Sequence, residues 1–478
     1  MSENFNPAAC TITRAVIISF DGQRRRDISF NFIGAFEINQ SMDAVAYSGN
    51  ISVLDTAGVL EGLPIRGEET LELEIVSHDL DTKVSIITKI HRVTDIEPVP
   101  NGNGLTYRLH FISTTSFESS TKVVTAAYRS PIYDIAKDLF EKNFSELSEP
   151  VNTDPVNVNK TLPVNVARYV LSNTYPQRNF YLQPTYGIQQ LVIPRLLSSE
   201  AMYFVASRAF NSETPSQTFR FFETLENYYF VTDEYFLKNV KKEEEIELFY
   251  APVIDYVPEA GKQQVNRIDS IRIVTKGIDT STNIYSGAYK GEVIELDFIR
   301  RKKDTIRFDY ENAYFSDMSG NPTARNDSSV PHSRQFRETV FNYNNAKKLM
   351  FFRNYATEGD IPGTLNNDLR MPEIALSRIS YYHHLHSVVL SAALKGRLDL
   401  RPGQIVNLNI APFNSVEEKD AENDISGRYL IKSTTHTMSA GSLTTGLVLV
   451  KFDWTVKANE RRIENASIPT NPFEVGVR

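Results

Sequence analysis

The chain has 478 residues with 41% hydrophobic and 23% charged side chains, a balance that excludes collagen-like, low-complexity and mostly disordered classes. Its formal charge of −8 gives no global basic field toward DNA or an anionic membrane, and its single cysteine, Cys10, excludes a disulfide framework and any multi-cysteine metal site. At roughly 100–200 residues per domain the length gives about three domains, and no apolar run reaches the roughly 18 residues that a membrane-crossing helix needs.

Residues 1–10 are polar and acidic and carry no signal-type apolar core, which predicts synthesis in a cytoplasm. Cys10 reads as an inert thiol. The 28 Phe and 23 Tyr beside one Trp favour strands and large flat contacts over helical bundles.

Period-2 patterning dominates the first hundred residues. Ile12, Val16, Ile18 and Phe20 share one face, with Arg14 the exception, and Asp21-Gly22 signals a turn. Ile28, Phe30, Phe32, Phe36 and Ile38 follow on one side, with Gly34 among them and Ser29, Asn31, Glu37 and Asn39 opposite. Val45, Tyr47, Ile51 and Val53 alternate next, with Gly49 on the apolar face, a position that often marks a bulge or a close approach. Leu71, Leu73 and Ile75 alternate with Glu72 and Glu74. Val84, Ile86 and Ile90 come next, and Leu105, Tyr107, Leu109 and Phe111 follow a Gly-rich turn. Six short strands in this span predict a small barrel or sandwich.

The pattern then changes. Ser130-Pro131 opens a predicted helix, with Ile132, Ile135, Ala136, Leu139 and Phe140 on one stripe. A second helix is predicted after Pro194, with Leu197, Ala201, Phe204 and Val205 on one face. An aromatic hairpin follows at residues 218–232, and the charge run at 241–247 reads as a solvated segment. Strand patterning returns at Ile271 and Ile273, at Ile294, Leu296 and Phe298, and at Ile306, Phe308 and Tyr310. Residues 312–345 are polar and turn-rich. A helix is predicted from Pro372, and strands at Val388-Val389-Leu390, 405–410, 429–433 and 447–454. The last is apolar on both faces, which predicts a central or interface strand.

Local signatures of catalysis are absent: no phosphate loop, no His-Glu-x-x-His, no Gly-x-Ser-x-Gly elbow and no EF-hand spacing. His383, His384 and His386 form the one cluster of metal-ligating type, but no carboxylate or cysteine lies close at ligand spacing, and C-terminal helix histidines favoured by the dipole or packed at an interface explain them better. Arg300-Arg301-Lys302-Lys303, followed by Asp304, and Arg24-Arg25-Arg26 read as solvated strand ends or acidic-partner patches rather than nucleic-acid contacts. The expectation is a non-enzymatic chain with no cofactor and no metal.

The order of these elements resembles the central baseplate hub protein of contractile-tailed phages of the T-even-like myophage type, and is similar to the hub half of type VI secretion spike proteins. The residues that carry the likeness are Tyr47-Ser48-Gly49-Asn50-Ile51-Ser52-Val53-Leu54-Asp55, then Leu60 to Leu63, then Gly67-Glu68-Glu69-Thr70-Leu71-Glu72-Leu73, the Pro131 helix, the Pro194 helix with its hairpin, and Gly396-Arg397-Leu398-Asp399-Leu400-Arg401-Pro402-Gly403-Gln404-Ile405-Val406. The likeness spans roughly residues 10–455.

The resemblance implies a mainly β chain with α+β insertions, made of two tail-tube-like antiparallel β-barrel domains and a middle α+β domain. The expected division is a first barrel at 1–116, a middle domain at 117–264 with helices near 131–143 and 194–209, a second barrel at 265–312 and 371–457, an insertion at 313–370 and a tail at 458–478. Candidate barrel and interface residues are Phe30, Phe32, Phe36, Ile38, Tyr47, Ile51, Val53, Leu71, Leu73, Val388, Leu390, Ile405, Leu408, Val448 and Val450. The implied role is a homotrimeric, pseudo-sixfold ring in a virion baseplate, assembled in the host cytoplasm. Its implied partners are a tail tube or tube-initiator protein, a central spike, surrounding baseplate proteins, a tape-measure protein and transient DNA in the lumen, with no membrane insertion. The alternatives are another β-rich baseplate or receptor-binding component, or the hub of a related contractile injection system.

Overall fold

The computed structural model describes residues 8–28, 33–63, 65–77, 82–100, 102–148, 151–152, 166–171, 177–211, 218–239, 245–250, 265–276, 280–298, 301–309, 347–352, 367–386, 388–410 and 425–451. Phe30, Phe32 and the 458–478 tail lie outside them, as does most of 313–370.

The first strand set comprises β1 (Cys10–Ile18), β2 (Arg25–Asp27), β3 (Ile33–Ser41), β4 (Ser48–Asp55), the short helix α1 (Val59–Gly62), β5 (Thr70–Ser77), β6 (Thr82–Pro98) and β7 (Leu105–Ser113). Every pairing within it is antiparallel, in the order β3-β4-β7-β6-β5-β1-β2. Alternation works as expected on β5, where Leu71, Leu73 and Ile75 are buried. It fails on β1. A register shift between Ile12 and Arg14 inserts one residue, so Ala15 and Ile17 become the innermost side chains, while Phe20 is 60% exposed. Gly49 is a close approach: a Cβ there would meet the Glu37 carbonyl oxygen and stand 2.5 Å from Phe111 Cζ. Two carboxylates shape the turns. Asp55 accepts the backbone N–H of Ala57, Val59 and Leu60 and so starts α1. Buried Glu69 accepts those of Arg66, Gly67 and Glu68, with Gly67 at φ +99°.

The middle region contains α2 (Thr114–Ser119), β8 (Val123–Ser130), α3 (Ile132–Asn143), β9 (Val151–Asn152), β10 (Ala167–Val170), β11 (Asn179–Leu182), β12 (Gln189–Leu197), α4 (Ser198–Ala206), β13 (Phe219–Glu223), β14 (Asn227–Thr232) and α5 (Asp233–Asn239). A five-stranded sheet, β13-β14-β11-β10-β9, packs beneath α3 and α4, and β8 pairs with β12 alone. Phe140 of α3 stacks on Phe180 at 4.1 Å. The helix expected from Pro194 starts later. Pro194 sits inside β12 at a register shift between Ile193 and Leu196, where a missing N–H costs no ladder bond. The helix begins at Ser198, with Glu200 accepting the Leu197 N–H at 3.0 Å.

The remainder contains β15 (Ile246–Tyr250), β16 (Ile268–Lys276), α6 (Thr280–Ser286), β17 (Lys290–Asp297), β18 (Lys302–Asp309), β19 (Lys347–Phe352), α7 (Asn367–Leu385), β20 (Val388–Lys395), β21 (Ile405–Ile410), β22 (Gly427–Ser439) and β23 (Ser442–Lys451). Strand β23, apolar on both faces in sequence, lies between β20 and β22. Three expectations change. Strands β17 and β18, read as part of the second barrel, form a separate sheet, β18-β17-β19, against which α7 packs Leu376 over Gly291. Strand β19 and the start of α7 fall in the span read as an insertion, and α7 begins before Pro372. Strand β15, next to the charge run, pairs in parallel with β21, and Glu245 beside it is buried against Arg428 at 2.7 Å.

One pairing joins the two strand sets. β22 runs antiparallel to β3 from Ser433↔Ser41 to Ser439↔Ala35. The result is a single 13-stranded sheet whose main path runs β16-β20-β23-β22-β3-β4-β7-β6-β5-β1-β2, with β21 and β15 branching from β22. The molecule is thus mainly β, with helices between its strands.

Candidate assembly interface

The seam is built from side chains as well as backbone. Phe36 faces Met438 across it, and both belong to the core of the first set. Thr435 Oγ1 donates to Asn39 Oδ1 at 2.8 Å, and Gln40 Nε2 donates to Thr434 Oγ1 at 3.2 Å.

Asp43, in the turn after β3, connects all three regions. Its Oδ1 accepts from Arg220 of β13 at 2.5 Å, and its Oδ2 accepts from Lys432 of β22 at 2.8 Å. Arg220 Nε also reaches Asp233 at 2.6 Å, and Tyr203 OH donates to the Asp43 carbonyl at 3.1 Å. Lys432 Nζ lies 3.0 Å from His386 Nε2, while the His386 Nδ1 proton is donated to the Tyr382 carbonyl at 2.8 Å. Partial burial works against the Asp43 charge, but Lys432 and Arg220 outweigh it and hold the carboxyl below its usual range. Burial, with Lys432 and Arg220 adding to it, pushes the His386 imidazole down, so it stays neutral and accepts from Lys432.

A second node ties the first set to the middle region and is buried. Glu223 Oε1 accepts from Arg178 Nη1 at 2.6 Å, from Ser113 at 2.5 Å and from Tyr228 at 2.7 Å; its Oε2 accepts from Ser116 at 3.0 Å. Arg178 also lies over the Tyr228 ring at 4.5 Å. Burial opposes the Arg178 charge, yet Tyr228, Glu223 and Tyr47 outweigh it and push the guanidinium up. Both carboxylate oxygens are engaged by structural donors, so the node holds rather than reacts.

The ends of the sheet path carry exposed apolar and cationic side chains. At one end Phe20 stands beside exposed Arg25 and Arg26 of β2; at the other, Arg272, Ile273, Val274 and Thr275 of β16 are exposed.

The sequence candidates divide cleanly. Phe36, Ile38, Tyr47, Ile51, Val53, Leu71 and Leu73 lie in the first core; Val388, Leu390 and Leu408 lie in the second; Ile405 and Val450 join a third cluster with Phe222, Phe236 and Tyr381. Val448 is half-buried. All of these described candidates fill the chain's own interior or line it. The nodes at Asp43 and Glu223 are what sequence reading missed; their members lie far apart along the chain and share no motif. Cys10 is buried, which pushes its thiol up to about 12. His383 and His386 sit at the end of α7, and among the described residues no group of three or more His, Cys, Asp or Glu is placed to hold a metal ion. No described helix is long and apolar enough to cross a membrane.

No protein-family model matches the chain, and no curated protein matches it. Among solved structures, a tail protein from Neisseria meningitidis MC58 is similar at 11% identity and TM-score 0.46, over 92% of this chain and 96% of that one. The 43 kDa tail protein of prophage MuSo2 from Shewanella oneidensis is similar at 9% identity and TM-score 0.45, over 92% and 98%. An E. coli protein described as a component of the type VI secretion system is similar at 8% identity and TM-score 0.37, over 93% and 77%. At these values the likenesses transfer neither role nor partner.

Proposed function

We propose that the chain is a structural, non-enzymatic hub of a contractile-tail baseplate, in which three copies make a ring of six strand-set units. The observation that carries this reading is the β3–β22 seam. It joins the two strand sets of one chain into a single sheet. A chain holding two linked ring segments meets sixfold order on one side and threefold order on the other when three copies close. The path ends, β2 and β16, are the surfaces through which successive copies meet, and their exposed Phe20, Ile273 and Val274 supply apolar area to bury there. On this reading the sixfold face receives a tail tube or its initiator, the threefold face receives a central spike, surrounding baseplate proteins pack outside, and a tape-measure protein and DNA pass through the lumen. The location is the virion, after assembly in a host cytoplasm.

Light scattering of the purified 54.2 kDa chain, alone and with its spike, tests the copy number. Three chains per particle are expected, and a particle that stays at one chain under every condition contradicts the proposal. Val274→Asp places a charge on β16 where Val274 is 57% exposed; it should leave the monomer folded and reduce assembly.

A further inference from the structure

Where the middle region meets the second strand set, a cleft of about 210 Å³ is lined by Tyr181, Tyr229, Tyr235, Glu226, Arg401 and Gly403. Its wall is aromatic. The Tyr181 and Tyr229 rings stack at 5.2 Å and 11°, Tyr235 stands 6.3 Å from Tyr181, and Phe236 backs Tyr229 at 5.3 Å. Gly403, at φ +92°, closes the floor against Phe236; a Cβ there would come within 2.6 Å of Phe236 Cε1.

Arg401 is the unusual member. Its side chain is only 5% exposed. Nη1 donates to the Leu398 carbonyl and, at 3.0 Å, to the Leu400 carbonyl. Nε is buried with no hydrogen-bond partner. The ion-pair partner on its guanidinium is Glu226, at 3.2 Å from Nη2 and itself 62% exposed. Burial pushes the Arg401 guanidinium down, against Glu226 and Asp399. A buried cation whose counter-charge hangs from an exposed side chain has a detachable partner. Burial also pushes the Tyr229 and Tyr235 phenols up, so both keep their protons as donors at neutral pH. The volume falls short of the roughly 300–1,000 Å³ of enclosed small-molecule sites, and suits one side chain of an extended segment.

We propose that this cleft is a docking site for an acidic peptide segment of a partner protein, in which a partner Glu carboxylate replaces Glu226 on Arg401 while the methylenes of the same side chain lie on the Tyr181–Tyr229 stack. Glu226 is then the built-in competitor. This assignment does not depend on the ring proposed above.

The test uses the full chain and a fluorescein-labelled peptide of alternating Glu and Tyr, followed by anisotropy at low salt. An alternating Lys and Tyr peptide serves as the charge control, and free glutarate as a competitor. Glu226→Gln removes the competitor from an exposed position and should tighten the Glu peptide by about tenfold, the scale of one hydrogen-bonded charge. Tyr229→Phe with Tyr235→Phe keeps the rings, removes the two phenol donors and should weaken it several-fold. Lys302→Glu with Lys303→Glu, on the exposed basic strand end, should leave it unchanged. The proposal stands only if the first two shifts occur together. Equal binding of the Lys peptide, loss confined to the Lys302/Lys303 variant, no gain in Glu226→Gln, or glutarate competing as strongly as the peptide overturns it.

Discussion

Ile38 and His436 are register partners across the seam between the two strand sets, and both are fully buried. The imidazole Nδ1 lies 3.1 Å from Thr445 Oγ1, whose own proton goes to the Arg397 carbonyl at 2.8 Å, so Nδ1 carries the ring proton. Burial first, and the Arg401 charge next, push the imidazole down to about 3. The unfolded chain binds a proton near pH 6.5 that the folded chain refuses. The stability this neutral ring allows is therefore complete above about pH 6.5 and falls as pH drops toward the folded value, by up to about 1.4 kcal/mol per pH unit. Urea unfolding between pH 7 and pH 4 should show a steeper loss in the natural chain than in His436→Gln. Parallel slopes contradict the assignment.

The Arg178–Glu223 pair predicts an asymmetric mutational response. Removing one partner leaves the other buried and unmatched, which costs about 3–5 kcal/mol. Glu223→Gln should fall in or near that range by denaturant midpoint, because Ser113, Ser116 and Tyr228 lose an ionised acceptor while Arg178 keeps its charge. A cost below about 1 kcal/mol would mean that the node is solvated.

Asp43 is half-exposed, with 48% of its side chain accessible, so its two ion pairs are discounted for solvent. Asp43→Asn should cost about 1 kcal/mol. The loss should shrink in 1 M salt, where the screening length falls to about 3 Å. A double-mutant cycle with Lys432→Met measures the coupling directly; a coupling of zero contradicts the node.

Gly49→Ala should destabilise by at least about 1–3 kcal/mol, because the added methyl meets the Glu37 backbone and the Phe111 ring in a core that cannot yield. Phe36→Asp, on the buried face of β3, should cost several kcal/mol. Soluble variants with unchanged melting would show that the β3–β4 register is wrong.

Strands were legible in the sequence wherever one face was buried without interruption. Leu71, Leu73 and Ile75 alternate, and all three are buried. The double-sided apolar run of β23 predicts a central or interface strand, and β23 lies between β20 and β22. Interruption defeated the same reasoning. The bulge at Ile12–Arg14 puts Ala15 and Ile17 innermost on β1, with Val16 and Ile18 buried beside them and Phe20 exposed, and a single extra residue leaves no mark in composition. A helix does follow Pro194, but only from Ser198, because a register shift lets the proline sit in β12. Strands β17 and β18 read as barrel strands because their pattern says that they pair, not with which sheet. The nodes were illegible for a related reason. Asp43, Arg220 and Lys432 are separated by more than 170 positions in each step, and only tertiary pairing brings them together.

Averaged single-particle images of the assembled chain, viewed along its axis, test the central claim most directly. The account predicts a ring of six similar lobes with true threefold symmetry, each chain contributing two neighbouring lobes joined at the β3–β22 seam. A ring of three lobes, or sixfold symmetry with one lobe per chain, would contradict it.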